Sequence, residues 1–222
     1  MHTMMQFDRA PPAGRAPPAL PTVHVVDDDP MVRTALSRLL GSLGCYRVLT
    51  HDCAEDFLAA YDPELHACLV LDVALPRLDG MGLRDALRGG AHPVSIVFLS
   101  GKADVPMCAD ALRRGAVDFL TKPVDETLLF EAVARALAQD ASTRALQAQQ
   151  AVAAERIASL TPREREVITH VMAGRLNKQI AADIGTAEKT VKVHRARGME
   201  KMHVRSVAEL VRLIERAQVP LV

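Results

Sequence analysis

Residues able to handle a metal ion and a phosphoryl group recur at the ends of short apolar runs. Asp27, Asp28 and Asp29 follow Val23 to Val26, Asp72 follows Cys68 to Leu71, Ser100 follows Val94 to Leu99, and Lys122-Pro123 comes just after Val117 to Leu120. Crowded carboxylates repel one another, and a hard divalent cation is the usual relief. Mg²⁺ takes one or two carboxylates with waters and phosphate oxygens, so it leaves positions open for a phosphoryl donor. Asp29 stands apart from the other two. Lying before Pro30, it matches a helix N-cap followed by proline at the first helical position, which is a structural role. Asp27 and Asp28 are left to face Asp72.

These residues can meet only if the apolar runs lie side by side. The predicted strands are Val23 to Val26, Tyr46 to Thr50, Cys68 to Leu71, Val94 to Leu99 and Val117 to Leu120. Between the first two, Val32, Ala35, Leu36, Leu39, Leu40 and Leu43 recur at helical spacing, and shorter helices fit Ala54 to Tyr61, Gly82 to Arg88, Val105 to Arg114 and Asp125 to Leu137. Strands apolar enough to be covered on both faces, alternating with helices, give an α/β fold with a five-stranded doubly wound parallel sheet. In such a sheet the carboxyl ends of the strands share one edge, where ligands bind.

Charge divides the chain. Before Glu155 there are 14 Lys+Arg against 19 Asp+Glu, and from Glu155 onward 13 against 8, for a net charge of zero. The basic end is a candidate nucleic-acid binder. Cys45, Cys53, Cys68 and Cys108 form no C-x-x-C pair or zinc spacing, as expected of reduced structural thiols in a cytoplasmic protein. The first 21 residues carry five prolines and read as a disordered tail, or as sequence upstream of the true start. No stretch approaches the roughly 18 apolar residues of a membrane span, so no membrane partner is expected.

The acidic pair, "LVLDVALPRLDG", "IVFLSG" and "DFLTKP" stand in the order and spacing of the receiver domain of two-component response regulators, which has a flavodoxin-like fold. This resemblance implies Asp72 as phosphoacceptor, Asp28 as a direct Mg²⁺ (or Mn²⁺) ligand and Asp27 as a ligand through water. It further implies the backbone carbonyl of Ala74 as a ligand, Ser100 and Lys122 as phosphoryl contacts, and Phe119 as the aromatic switch position. The chain departs from many relatives at Ala74, where a polar or basic side chain is common, and Phe119 has no hydroxyl to hydrogen bond.

Toward the carboxyl end, "NKQIAADI" places Ile180, Ala181 and Ile184 on one helical face, Gly185 allows a turn, and "AEKTVKVHRARGMEKM" follows. Val191, Met199 and Met202 share one side of the second helix, leaving Lys189, Lys192, Val193, Ala196 and Arg197 outward or flanking. A helix apolar on one side and basic on the other suits the DNA major groove. "LTPREREV", "AG", "NKQIA" and "KTVKVHR" resemble the helix-turn-helix output domain of the LuxR type, as a separate all-α domain. By that resemblance Lys192, Val193 and Ala196 face base edges, with Lys178, Thr190, Arg195 and Arg197 as candidates for phosphate contact. Thr186-Ala187 replace the common Ile-Ser, which weakens the expected helix cap. Glu164, Glu166 and Asp183 read as solvated.

The expected organisation is a tail at 1–21, a receiver domain at 22–139, a helical linker at 140–157 and a helix-turn-helix domain at 158–222. The implied function is that of a DNA-binding response regulator. A sensor histidine kinase phosphorylates Asp72, the protein forms a phosphorylation-dependent homodimer, and it acts on promoter DNA with RNA polymerase as a further partner. An aspartyl-nucleophile phosphatase would also use Asp, Lys, Ser and Mg²⁺, but the second Asp such enzymes carry two residues after the nucleophile is Ala74 here. A phosphorylation-independent DNA binder is the other alternative.

Overall fold

The structure, a computed structural model, describes residues 20–76, 80–87, 94–101 and 105–217. The expected tail, apart from Leu20 and Pro21, lies outside them. The chain divides into two compact units that meet at Leu137 and Ala138 in the sequence.

In the first unit, strands β1 (Thr22–Val26), β2 (Arg47–His51), β3 (Ala67–Asp72), β4 (Ser95–Ser100) and β5 (Asp118–Thr121) alternate with α1 (Pro30–Gly41), α2 (Ala54–Ala60), α3 (Gly80–Leu87), α4 (Val105–Arg113) and the start of α5 (Glu126–Ala158). All strand pairs are parallel, in the order β2-β1-β3-β4-β5. Every residue of β1, β3 and β4 is buried. Alternate residues serve opposite faces: Val23, Val25, Cys68, Val70, Val97 and Leu99 pack with Leu36, Leu40, Leu129 and Val133, whereas Leu69, Leu71, Ile96 and Phe98 pack with Phe57 and Leu83. Burial of each such side chain contributes about 1.5–3 kcal/mol, and a one-residue slip would turn every one to the wrong face. That penalty fixes the register, pairing Val26 with Leu71, Asp72 with Leu99 and Ser100 with Thr121.

Four strands end one residue later than the sequence reading placed them: β2 at His51, β3 at Asp72, β4 at Ser100 and β5 at Thr121. Asp72 and Ser100 are the last residues of their strands rather than the first beyond them. Parallel pairing continues one residue past the apolar run because Asp72 has Leu99 as its ladder partner and Ser100 has Thr121. Asp29 caps α1 as expected, its side chain accepting from the Met31 amide at 2.8 Å, with Pro30 opening the helix.

In the second unit, α6 (Pro162–Met172), α7 (Asn177–Asp183), α8 (Glu188–Lys201) and α9 (Val207–Ala217) enclose a core of Val167, Ile168, Val171, Ile180, Val191, Met202, Leu210 and Ile214. Ile157, near the end of α5, belongs to the same core. Where the sequence suggested a helix ending at Leu137 followed by a helical linker at 140–157, α5 runs unbroken through both for 33 residues. The Ala- and Gln-rich stretch contains no Gly or Pro to stop it. Gly185, at φ +65, makes the turn between α7 and α8 in a conformation costly to other residues. Gly198 lets α8 approach α6, since a Cβ there would stand 2.7 Å from Ile168 Cγ1.

Glu164 corrects the sequence reading. It is buried rather than solvated, and its carboxylate accepts from the Thr161 amide at 2.9 Å and from Lys201 Nζ at 2.7 Å. Together with the Thr161 hydroxyl, which accepts from the Glu164 amide, this makes a capping box at the start of α6. Glu166 and Asp183 are exposed, as expected.

Candidate functional site

The ends of β1, β3 and β5 bring the acidic residues and the lysine together. Carboxylate oxygens of Asp27, Asp28 and Asp72 lie within 4.8 Å of one another. Asp27 and Asp72 are buried while Asp28 is exposed, so the cluster is open at one side. Lys122 Nζ donates to Asp27 Oδ2 at 2.5 Å and lies 3.0 Å from Asp72 Oδ2. Its cis peptide bond to Pro123 follows directly on the Lys122 amide's bond to the Ser100 carbonyl at 2.8 Å.

Burial pushes the Asp27 carboxyl above the ordinary carboxylate range, against the lowering effect of the Lys122 hydrogen bond. For Lys122, burial alone would lower the pKa. Hydrogen bonds to Asp27 and Asp72 outweigh it and hold the ammonium above its ordinary value, so it remains charged. Three carboxylates against one ammonium leave formal negative charge on a set of oxygen donors. The donor chemistry fits a hard cation such as Mg²⁺, with Asp27, Asp28 and Asp72 available to hold it.

The Ala74 amide contacts Asp72 Oδ1 at 3.3 Å, which brings the backbone after β3 against this carboxylate. Ser100 is buried at the end of β4, and Phe119, half-buried on β5, has its ring centroid 6.3 Å from that of Phe98. Gly80 is a site residue the sequence reading passed over. A Cβ there would stand 2.6 Å from the Asp72 carbonyl oxygen, so only glycine lets the start of α3 close against this strand end. Its signal was the glycine closing "LVLDVALPRLDG".

In the second unit, α8 buries Val191, Gly198 and Met202 and exposes Lys189, Lys192, Val193, Ala196 and Arg197. Thr190 and, on α7, Lys178 are also exposed. Arg195 is half-buried and donates to Asn177 Oδ1 at 2.9 Å, tying α8 to α7. Lys192 pairs with Glu188 at 3.0 Å, one turn earlier. Ala187, the N-cap of α8, makes no side-chain cap, as the sequence suggested.

Residues 23–134 match the response regulator receiver domain family, and residues 158–214 match the luxR family of bacterial regulatory proteins. The chain is 42% identical over 199 residues to the tetrathionate response regulatory protein TtrR of Salmonella typhimurium, spanning 90% of this chain and 94% of that protein. It is 38% identical over 195 residues to the transcriptional regulatory protein FixJ of Bradyrhizobium diazoefficiens, spanning 88% and 95%. Among solved structures, the response regulator StyR aligns with a TM-score of 0.80 at 43% identity, over 89% of this chain and all 100% of that one. Full-length FixJ from B. japonicum aligns with a TM-score of 0.53 at 38% identity, over 89% and 97%.

Proposed function

Since the chain belongs to the DNA-binding two-component response regulators that carry a receiver and a LuxR-type domain, we propose that a sensor histidine kinase phosphorylates it on Asp72 and so controls promoter binding. The supporting observation is the meeting of Asp27, Asp28 and Asp72 with Lys122 at one sheet edge. An Asp72 oxygen attacks phosphorus as the bond from phosphorus to the kinase imidazole breaks, and the imidazole leaves with that electron pair. Lys122 neutralises charge on the transferring oxygens. Asp28 would hold the cation directly, Asp27 would hold it through water, and the Ala74 carbonyl would be a further ligand. When bound, Mg²⁺ supplies charge neutralisation and orientation of the phosphoryl oxygens. The receiver domain's only chemistry is its own phosphorylation and dephosphorylation.

In this reading, Ser100 moves toward the phosphoryl group and Phe119 rotates into the vacated space. That change reshapes α4, β5 and the start of α5, which become the face of a two-fold dimer. Val105, Leu112 and Leu128 are 82%, 46% and 50% exposed on α4 and α5, so apolar side chains on these two helices are available to a second copy. A dimer reads an inverted repeat where one helix-turn-helix reads a short half-site. Lys192, Val193 and Ala196 read bases; Lys178, Thr190, Arg195 and Arg197 hold phosphates. Promoter DNA, with RNA polymerase beside it, places this action in the cytoplasm.

The test is phosphoryl labelling of the full chain by an acyl phosphate donor. The wild type takes up acid-stable, base-labile label and Asp72→Asn takes up none, because an amide forms no acyl phosphate. Label on Asp72→Asn at the wild-type level would remove Asp72 from this role. For the DNA face, Lys192→Ala lowers affinity for the cognate site by about 1–3 kcal/mol and relaxes the preference at one position. Equal loss on specific and random DNA would remove Lys192 from base reading.

A further inference from the structure

Arg33, on the first turn of α1, has no part in the site as described so far. Its guanidinium Nη1 donates to the Asp27 carbonyl oxygen at 2.6 Å, and the Asp27 amide donates to the His51 carbonyl at 3.3 Å. Asp27 is therefore gripped through its backbone from α1 on one side and β2 on the other. Its side chain is held separately, by Lys122 and by the Asp29 amide at 3.0 Å.

Asp28 is held quite differently. Its carboxylate is exposed and has no hydrogen bond or ion pair among the described residues. Only the backbone aims it, and the carbonyl that Arg33 grips belongs to the peptide joining Asp27 to Asp28. Repulsion from Asp27 and Asp72 favours turning Asp28 outward, yet its carboxylate stands within 4.8 Å of theirs. A charge-assisted hydrogen bond to that peptide resists the rotation.

We infer that Arg33 is a positioning residue for the cation pocket, fixing the Asp27-Asp28 peptide plane so that the Asp28 carboxylate points at the metal before it binds. The inference rests on the proposed metal pocket of Asp27, Asp28 and Asp72. Arg33 acts as an outer partner that orients a ligand, and losing such partners costs about 10–100-fold in metal affinity. Arginine suits the position because its planar fork donates in a fixed direction, whereas lysine offers a flexible point charge.

The experiment is titration of the full chain with Mn²⁺, reading free ion by electron paramagnetic resonance, alongside metal-free thermal melting. The wild type binds Mn²⁺ in a manner that Asp28→Ala abolishes. Arg33→Met and Arg33→Gln raise the Mn²⁺ Kd about 10-fold, and Arg33→Lys falls between them and the wild type. A staple that only holds the fold would lower the melting temperature and leave the Kd unchanged. If Arg33→Met fails to fold, Arg33→Gln and Arg33→Lys carry the test. Wild-type Mn²⁺ affinity in the folded Arg33 variants, with Asp28→Ala defective, overturns the Arg33 role alone. Absence of any Asp28-dependent binding in the wild type overturns the metal pocket and this inference together.

Discussion

Each unit of the molecule buries carboxylates next to a lysine, but the two sites close their charge differently. In the second unit, Glu164 takes hydrogen bonds from the Thr161 amide and Lys201, while Lys201 also donates to the Ser159 carbonyl at 3.0 Å. One carboxylate meets one ammonium, and the Glu164 carboxyl is held down at about 2, first by the Lys201 hydrogen bond and then by the Thr161 amide. In the first unit, Lys122 answers three carboxylates, and burial raises Asp27. A buried carboxylate matched by the chain's own donors is part of the architecture. A cluster whose charge exceeds its donors is open to an outside cation, at a cost in metal-free stability.

Removing a partner should therefore have opposite signs at the two sites. The largest effect is expected for Lys201→Met, which leaves the Glu164 carboxylate buried without its cation. It should destabilise the second unit by about 1–3 kcal/mol in urea denaturation. A neutral result would mean that water replaces the lysine and that the pair is not closed.

Next comes acid, which should separate the units. Glu164 binds no proton until far below its ordinary 4.5, so its contribution is complete above 4.5 and is lost as the pH falls from 4.5 toward 2. In the first unit His24 packs against His51, with Nδ1 3.0 Å from His51 Nε2, and against the rings of Phe57 and Tyr61. Burial, with the charges of His51 and Arg47, lowers the His24 pKa from 6.5 to about 4. The unfolded chain takes up that proton first, so this contribution is complete above 6.5 and is lost as the pH falls toward 4. Residue-resolved hydrogen exchange between pH 7 and 3 should show the first unit weakening first, and His24→Leu should flatten its response. Simultaneous weakening of both units would contradict the separation.

Helix capping gives a smaller effect. Ala187→Ser supplies the cap missing from α8 and should stabilise the second unit by about 0.5–1 kcal/mol, read as an increased urea midpoint. Smallest is Asp28→Asn, which removes an exposed like charge from the open cluster. It should leave metal-free melting unchanged or raise it by a few degrees while abolishing the metal-induced rise. A lower metal-free melting point would show that Asp28 has a native partner after all.

Local chemistry made much of this legible in the sequence. Short apolar runs and helical spacing marked the five strands and the helices between them, and Asp29-Pro30 announced the start of α1. The acidic residues were legible because a charge at the end of a fully apolar strand is conspicuous. The capping box at Thr161 and Glu164 is also written locally, as Thr-x-x-Glu before an apolar run, although glutamate by its residue type alone reads as solvated.

Sequence by itself determined the elements, their apolar faces and the kinds of group each strand end would carry, since these follow from neighbours a few residues apart. Only the tertiary structure decided which partners those groups meet. Lys122 and Asp27 are 95 positions apart, Lys201 and Glu164 are 37 apart, and His24 and His51 are 27 apart. The grip of Arg33 on the Asp27 carbonyl and the closeness of Gly80 to Asp72 likewise depend on how helices lie against the sheet. Pairing energy depends on distance and burial in space, and a linear pattern records neither.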